Sequence, residues 1–205
     1  MSEVAAVDDG MGEPTVAPVG RLERSQEARR RRLMVAATAL VAEGGYDAVQ
    51  MRDVAARADV ALGTIYRYYS SKDHLLAEIN LRWMRELAAE VAARDWGTAS
   101  PLERLVEVVR MSTEPVERDS RMGEVFIRTA TSGDPAAAAC HRELGALQLQ
   151  MLTNALADVD DVTRDGVIRV LRLVWYAALV GKVSGWANVD GVRDELVRTA
   201  RLLLG

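Results

Sequence analysis

Between Leu62 and Lys72 the chain gathers side chains suited to a polyanion. Thr64, Tyr66 and Tyr68 offer hydroxyls, Arg67 a guanidinium and Lys72 an ammonium, and each of these can bond a phosphate oxygen. Arg67 can also pair bidentately with a guanine edge, while Leu62 and the Thr64 methyl suit a thymine methyl. Gly63, lacking a side chain, lets a nucleic-acid backbone come close. Three of the five tyrosines fall in this stretch, at 66, 68 and 69. Ile65 and Tyr69 are expected in the core, and Tyr68 on either face. Arg52 is a further candidate for phosphate, whereas Arg57 reads as a surface charge. The run Arg29 to Arg32 points all round a helix, so one or two of these arginines face phosphate and the rest face water.

The net charge of −4 argues against a polyanion partner only when it is read over the whole chain. Residues 1–20 carry four acids and no base, residues 21–72 carry ten Lys and Arg against six Asp and Glu, and residues 73–205 carry sixteen against twenty. Positive charge therefore sits where the hydroxyl and guanidinium cluster lies. With a single Phe among 205 residues, the core must be built from Leu, Val, Ala and Met, and such a composition with many Arg and Glu favours helix. Cys140 is the only cysteine, and its neighbour His141 has only His74 as a fellow histidine. That pair supports neither a metal site nor a nucleophile, and a lone thiol fits a reduced, cytoplasmic setting. No run of about 20 apolar residues suggests a membrane span. The acidic start, with Glu3, Asp8 and Asp9, does not resemble a secretory leader.

These features predict an all-α chain. Residues 1–20 read as a disordered tail, 21–71 as a helix-turn-helix domain and 72–205 as a second helical domain. Leu33, Ala36, Ala37, Leu40 and Val41 form one apolar stripe on a helix that starts near Ser25 and ends at Gly44-Gly45. Short helices follow at about Met51–Ala58 and Leu62–Tyr68, joined by a turn in which Asp59 tolerates positive φ. Ser70 or Ser71 caps a long helix from Lys72 to about Asp95. Further helices are expected near Leu102–Met111, Arg121–Thr131, Pro135–Ala157, Thr163–Trp186 and Val189–Leu204. No internal repeat is visible.

Two short helices joined by a tight turn make a helix-turn-helix, whose second helix can enter a major groove. The ordered run GGYDAV, then QMRDVAARADVALGTIYRYYSSKDHLL, resembles the DNA-binding domain of TetR-family regulators over about Gln26 to Leu81. The resemblance implies that Arg52 reaches DNA, that Thr64, Tyr66, Arg67 and Tyr68 lie on the recognition helix, and that Lys72 contacts phosphate. Three positions depart from the pattern: Gln50 and Ala61 stand where Ser or Thr often caps, and Asp59 replaces the usual turn glycine. The variant is especially similar to actinobacterial repressors of sterol (cholesterol) catabolism.

The same resemblance implies a homodimer and an effector pocket in a C-terminal effector-binding and dimerisation domain. In the family the last two helices make the dimer contact as a four-helix bundle. Val167, Val170, Leu171, Val174 and Ala178 on one helix, and Val192, Leu196, Thr199 and Leu203 on the next, are the candidates, although part of this stripe must serve the protomer's own core. Small residues at Ala177, Gly181, Ser184 and Gly185 would let a partner helix approach. Pocket candidates on the middle helices are Met84, Leu87, Val109, Met122, Val125 and Phe126, together with Thr129, Met151, Leu152, Trp175 and Trp186. Methionine and aliphatic side chains suit an apolar ligand, with ordinary core packing as the alternative for each. Arg128 or Arg142 would meet an anionic end of that ligand.

The function implied is a ligand-responsive repressor, released from a palindromic operator by a small apolar effector, with a sterol- or fatty-acid-derived metabolite as the expected class. The alternative is a DNA-binding adaptor or activator without an effector. No nucleophile–base pair, metal cluster or phosphate loop speaks for an enzyme, and no cofactor is expected.

Overall fold

The computed structural model describes residues 19–185 and 191–205, with side chains from Arg24 onward. Residues 1–18 of the expected tail, and Trp186, lie outside the described residues. Among the described residues there are nine helices and no strand. In order they are α1 (Val19–Ala48), α2 (Met51–Arg57), α3 (Leu62–Tyr68), α4 (Lys72–Ala93), α5 (Pro101–Arg118), α6 (Ser120–Ala130), α7 (Pro135–Ala155), α8 (Asp161–Ser184) and α9 (Val192–Leu204).

The α1 stripe is buried, with Leu33 and Ala37 fully covered. Gly44 and Gly45 leave helical geometry, and Gly45 takes φ 72°, a value that side chains resist. A Cβ there would also come within 3.3 Å of Glu124 on α6. This kink sets Tyr46 at the end of α1. The turn between α2 and α3 holds Asp59 at φ 53°, the one positive-φ residue other than glycine among those described. Neither Gln50 nor Ala61 makes a side-chain cap bond. Packing holds these short helices instead: Val54 and Ile65 are fully buried against α1, and Tyr69 is nearly so. The α4 start is capped, with the His74 N–H donating to Ser71 Oγ at 3.0 Å.

The side chains form two cores. One gathers α1, α2, α3, the start of α4 and, from α6, buried Val125 with half-buried Met122 against it. The other gathers the rest of α4 with α5, α7, α8 and α9. Helix α4 is common to both, giving Leu75 and Leu76 to the first and Ala77, Leu81, Met84, Leu87 and Val91 to the second. Each fully buried leucine contributes about 1.5–3 kcal/mol over its exposed state.

Helix α5 extends to Arg118, seven residues beyond the expected end at Met111. Ser112 and Thr113 follow directly on that expected end. In the fold their hydroxyls bond back to the Val108 and Val109 carbonyls at 2.6 and 2.9 Å, and Thr113 and Val116 are buried. Pro115 stands in the last turn, where tertiary packing outweighs its missing donor. Three ends follow local chemistry: the Ser100–Glu103 capping box opens α5, Asp134 caps α7 ahead of Pro135, and Gly185 at φ 68° closes α8.

Candidate nucleic-acid interface and apolar cleft

The outer side of α2–α3 presents Arg52, Leu62, Gly63, Tyr66 and Arg67 to solvent, with Thr64 and Tyr68 half-buried. Inward-facing Ile65 and Tyr69 fix the helix orientation. A Cβ built on Gly63 meets nothing within 4 Å, so the protein itself does not require a glycine there. Arg52 pairs only with its neighbour Asp53, at 3.3 Å, and stays exposed. Tyr68 differs from the expected hydroxyl contact. Its ring lies beneath the guanidinium groups of Arg30 and Arg67, at 5.4 and 5.5 Å, and its hydroxyl is buried without a partner among the described residues. It therefore acts as a platform that orients two cations. Arg57 is held bidentately by Glu43 at 2.6 and 3.0 Å, a contact internal to the fold.

Lys72 is not a free surface ammonium. It is half-buried, 3.8 Å from the Tyr46 ring centroid and 3.3 Å from the Tyr46 carbonyl oxygen to which it donates. Arg128 of α6 lies 4.5 Å from the centroid of the same ring and pairs with Asp47 at 2.8 Å. The Tyr46 hydroxyl donates to Asp73 Oδ1, and Ser132, just past α6, donates to the other oxygen of that carboxylate at 2.5 Å. Burial, then the Asp73 carboxylate, push the Tyr46 hydroxyl up to about 12, so it remains a donor. Arg128 thus belongs to this junction and not to a ligand pocket, while Arg142 is solvent-exposed.

A cleft of about 620 Å³ opens between α6, α7 and α8. Phe126, Leu144, Ile168 and Trp175 supply its apolar wall, and His141, Gln148, Asp165, Arg169 and Arg172 its polar groups. The Phe126 ring meets His141 and Trp175 edge-on, with centroids 5.0 and 4.7 Å apart. The Thr129 hydroxyl lies 2.8 Å from the Val125 carbonyl, which can only accept, so its proton points there. Its oxygen therefore accepts from His141 Nε2, 2.9 Å away, and fixes a neutral Nε2–H imidazole. Burial pushes the His141 pKa below its ordinary 6.5. A separate void of only about 20 Å³ lies behind the cleft, lined by Val109, Leu152 and Leu196, with Gln148, Arg172 and Trp175 common to both cavities.

Of the pocket residues expected from sequence, Phe126 and Trp175 line the cleft, and Val109, Leu152 and Trp175 line the small void. Met84, Leu87 and Met151 are packed into the larger core and line neither cavity. Met122 and Val125 are corrections: they sit on the adjoining side of α6, against the α1–α3 core. Thr129 acts through His141, as described. The residues that sequence reasoning missed, including His141, Gln148, Arg169 and Arg172, lie at three- or four-residue steps along α7 and α8. Cys140 has the plain role expected of it, a buried small side chain, its thiol pushed up to about 11 by burial and then by Glu78.

The α8–α9 stripe also divides. Val167, Leu171, Ala178, Val192 and Leu196 are buried within the protomer, so its own core already covers them. Val174 and Thr199 are half-buried, and Val170 and Leu203 are exposed at 37 % and 38 %. The other large apolar side chains left open on α8 and α9 are Val162, Leu173, Tyr176 and Leu202, exposed at 85 %, 66 %, 43 % and 80 %. One helical face cannot serve core and partner together, so the outward face runs through 170, 173 and 176.

The model of bacterial regulatory proteins of the tetR family matches residues 33–79, and that of the tetracyclin repressor-like C-terminal domain matches residues 98–203. The chain belongs to the TetR family. It is 36% identical over 183 residues to the HTH-type transcriptional repressor KstR of Rhodococcus jostii, covering 88% of this chain and 85% of that protein. The fold of this TetR-family chain is similar to that of a TetR transcriptional regulator from Rhodococcus sp. RHA1, with TM-score 0.69 and 24% identity over 88% of this chain and 97% of that one. It is also similar to Thermus thermophilus FadR, solved in complex with lauroyl-CoA, with TM-score 0.67 and 23% identity over 85% and 93% of the two chains. The tetR match spans α2, α3 and the start of α4, and the C-terminal match spans α5 to α9.

Gly63→Ala in this TetR-family chain is expected to hold or raise stability, by up to about 1 kcal/mol, because the added methyl clashes with nothing. It is expected to weaken binding to operator DNA roughly fivefold or more in a mobility shift, because the methyl would stand where a phosphate backbone approaches. Unchanged DNA affinity would place that approach elsewhere. Acidification tests His141. Below about pH 6.5 the unfolded chain takes up a proton that folded, buried His141 refuses until lower pH, so the unfolded state binds more protons and stability falls as pH falls. Above that window this contribution does not vary with pH. His141→Gln is expected to flatten this part of the slope when urea unfolding is followed from about pH 7.5 to about 5.

Proposed function

We propose that the protein is a cytoplasmic transcriptional repressor that binds a palindromic operator as a homodimer and is released by a small apolar effector. The observation that carries this reading is the two-faced helix α6. Phe126 and Ala130 line the cleft, while Met122 and Val125 pack against the α1–α3 core and Arg128 reaches Asp47 and Tyr46. An effector that displaces Phe126 therefore moves a helix already docked on the DNA-binding end. The repressor relatives named KstR support the regulatory sign.

Thr64, Tyr66, Arg67 and Arg52 are assigned to DNA, with Leu62 and Gly63 at the closest approach. Lys72 is assigned to phosphate through the N–H donors that the Tyr46 carbonyl leaves free. One helix-turn-helix reads too few base pairs for tight specificity, so two copies bind half-sites about 34–36 Å apart. The partner copy is assigned to the outward face of α8 and α9, through Val170, Leu173, Tyr176, Leu202 and Leu203. Leu173 and Tyr176 also border the cleft, so an effector there acts on the dimer face as well as on α6. A modest change in the spacing of the recognition helices then breaks simultaneous contact. Effector and operator oppose one another through a reciprocal coupling of about 1–3 kcal/mol. A sterol- or fatty-acid-derived metabolite fits the apolar wall with arginines beside it.

The test is a mobility shift on an operator selected from random duplexes, with lauroyl-CoA and cholest-4-en-3-one as probes. Saturating probe is expected to lower operator affinity about 5- to 150-fold. Arg67→Ala is expected to relax preference at one base pair, and a uniform loss over all sequences would make it a phosphate contact instead. Operator affinity unaffected by both probes would remove the support for effector release.

A further inference from the structure

Trp175 carries a conflict that the protein alone does not resolve. Its indole Nε1–H is buried and has no hydrogen-bond partner among the described residues. An indole nitrogen can only donate, and a native fold rarely leaves a buried donor unmade. The ring belongs to the wall between the cleft and the small void behind it, and Phe126 fixes it edge-on at 4.7 Å. Gln148 and Arg172 line the same wall, yet no side chain among the described residues takes the donor. At the same cleft Arg169 and Arg172 form no ion pair among the described residues.

We propose that Trp175 is the residue by which this cleft reads a carbonyl oxygen on an otherwise apolar effector whose anionic end lies against Arg169 and Arg172. The inference rests on the effector reading above and sharpens it to a chemical class. A bare hydrocarbon would fill the cleft and leave the indole N–H unpaired. A ligand whose carbonyl lies at the depth of Trp175 completes that bond, and its oxygen is desolvated only where a donor waits. His141 does not substitute for Trp175, because its Nε2–H is already committed to Thr129. Specificity of this kind is strong because a site with a buried donor rejects the analogue that lacks the acceptor.

The experiment compares lauroyl-CoA with its thioether S-dodecyl-CoA, which has the same chain and phosphates but no carbonyl oxygen. Binding is measured by calorimetry, and the Trp175 indole resonance is followed by ¹H–¹⁵N spectroscopy after assignment with Trp175→Phe. The wild-type protein is expected to prefer the thioester by about tenfold, with a downfield indole shift for that ligand alone. Trp175→Phe is expected to abolish the preference by weakening only the thioester. Equal affinity of the two ligands for the wild type, a preference that persists in Trp175→Phe, or binding of neither ligand would overturn the assignment. The wild-type pair and the indole resonance decide the matter even if the variant folds poorly. Operator release, scored separately, distinguishes the two levels. Release by both ligands alike would keep the effector reading and remove the role of Trp175, whereas selective binding of the thioester without release would do the reverse.

Discussion

The structure depends on one phenol. Tyr46 stands where the end of α1, the start of α4 and the turn after α6 converge. Lys72 covers its ring at 3.8 Å and Arg128 at 4.5 Å, while its hydroxyl and that of Ser132 share the Asp73 carboxylate. Each cation–π contact at such a half-exposed site is worth about 0.5–1 kcal/mol. Their importance lies in connectivity more than in depth. Three chain segments far apart in sequence are registered on a single side chain, and Gly45, at a φ that other residues resist, is what turns that side chain inward.

This junction gives the α6 geometry a consequence. Lys72 donates one of its three N–H groups to the Tyr46 carbonyl, so the junction sets where this cation stands, and the operator-bound and effector-bound arrangements proposed above differ in how it is held. A ligand beside Phe126 acts on the same helix that carries Arg128 and leads into Ser132. It needs only a differential affinity for the two arrangements, since a ligand that binds both equally shifts nothing. Because α4 contributes to both cores, displacement at its first turn is resisted by Leu75 and Leu76 on one side and by Ala77 and Leu81 on the other.

The DNA-binding end was largely legible in the sequence because its signals are local. The helix over Leu62–Tyr68, the positive φ of Asp59, the missing caps at Gln50 and Ala61, and the burial of Ile65 and Tyr69 all follow from neighbouring residues and short-range periodicity. The cleft was not legible to the same degree. Helix α6 is apolar on more than one face, so Val125 and Phe126, adjacent in sequence, could not be assigned to different cores by periodicity alone. The α8 stripe failed for the same reason: Val170 and Leu171 are neighbours, and only the packing of α9 decides which one is buried. Lys72 kept its expected place at the head of α4 but not its expected freedom, because Tyr46, twenty-six positions earlier, takes up its charge. Long-range pairings of that kind leave no periodic trace.

The central claim is that Tyr46 couples the cleft to the DNA-binding helices, and Tyr46→Phe tests it most directly. The variant keeps the ring under Lys72 and Arg128 and loses only the hydroxyl bond to Asp73. Operator affinity should be measured with and without saturating effector, alongside effector affinity for the free protein. The account expects effector affinity within about twofold of wild type and a ratio of operator affinities that collapses from about 5- to 150-fold toward one. An unchanged ratio, with the junction bond demonstrably lost, would contradict it.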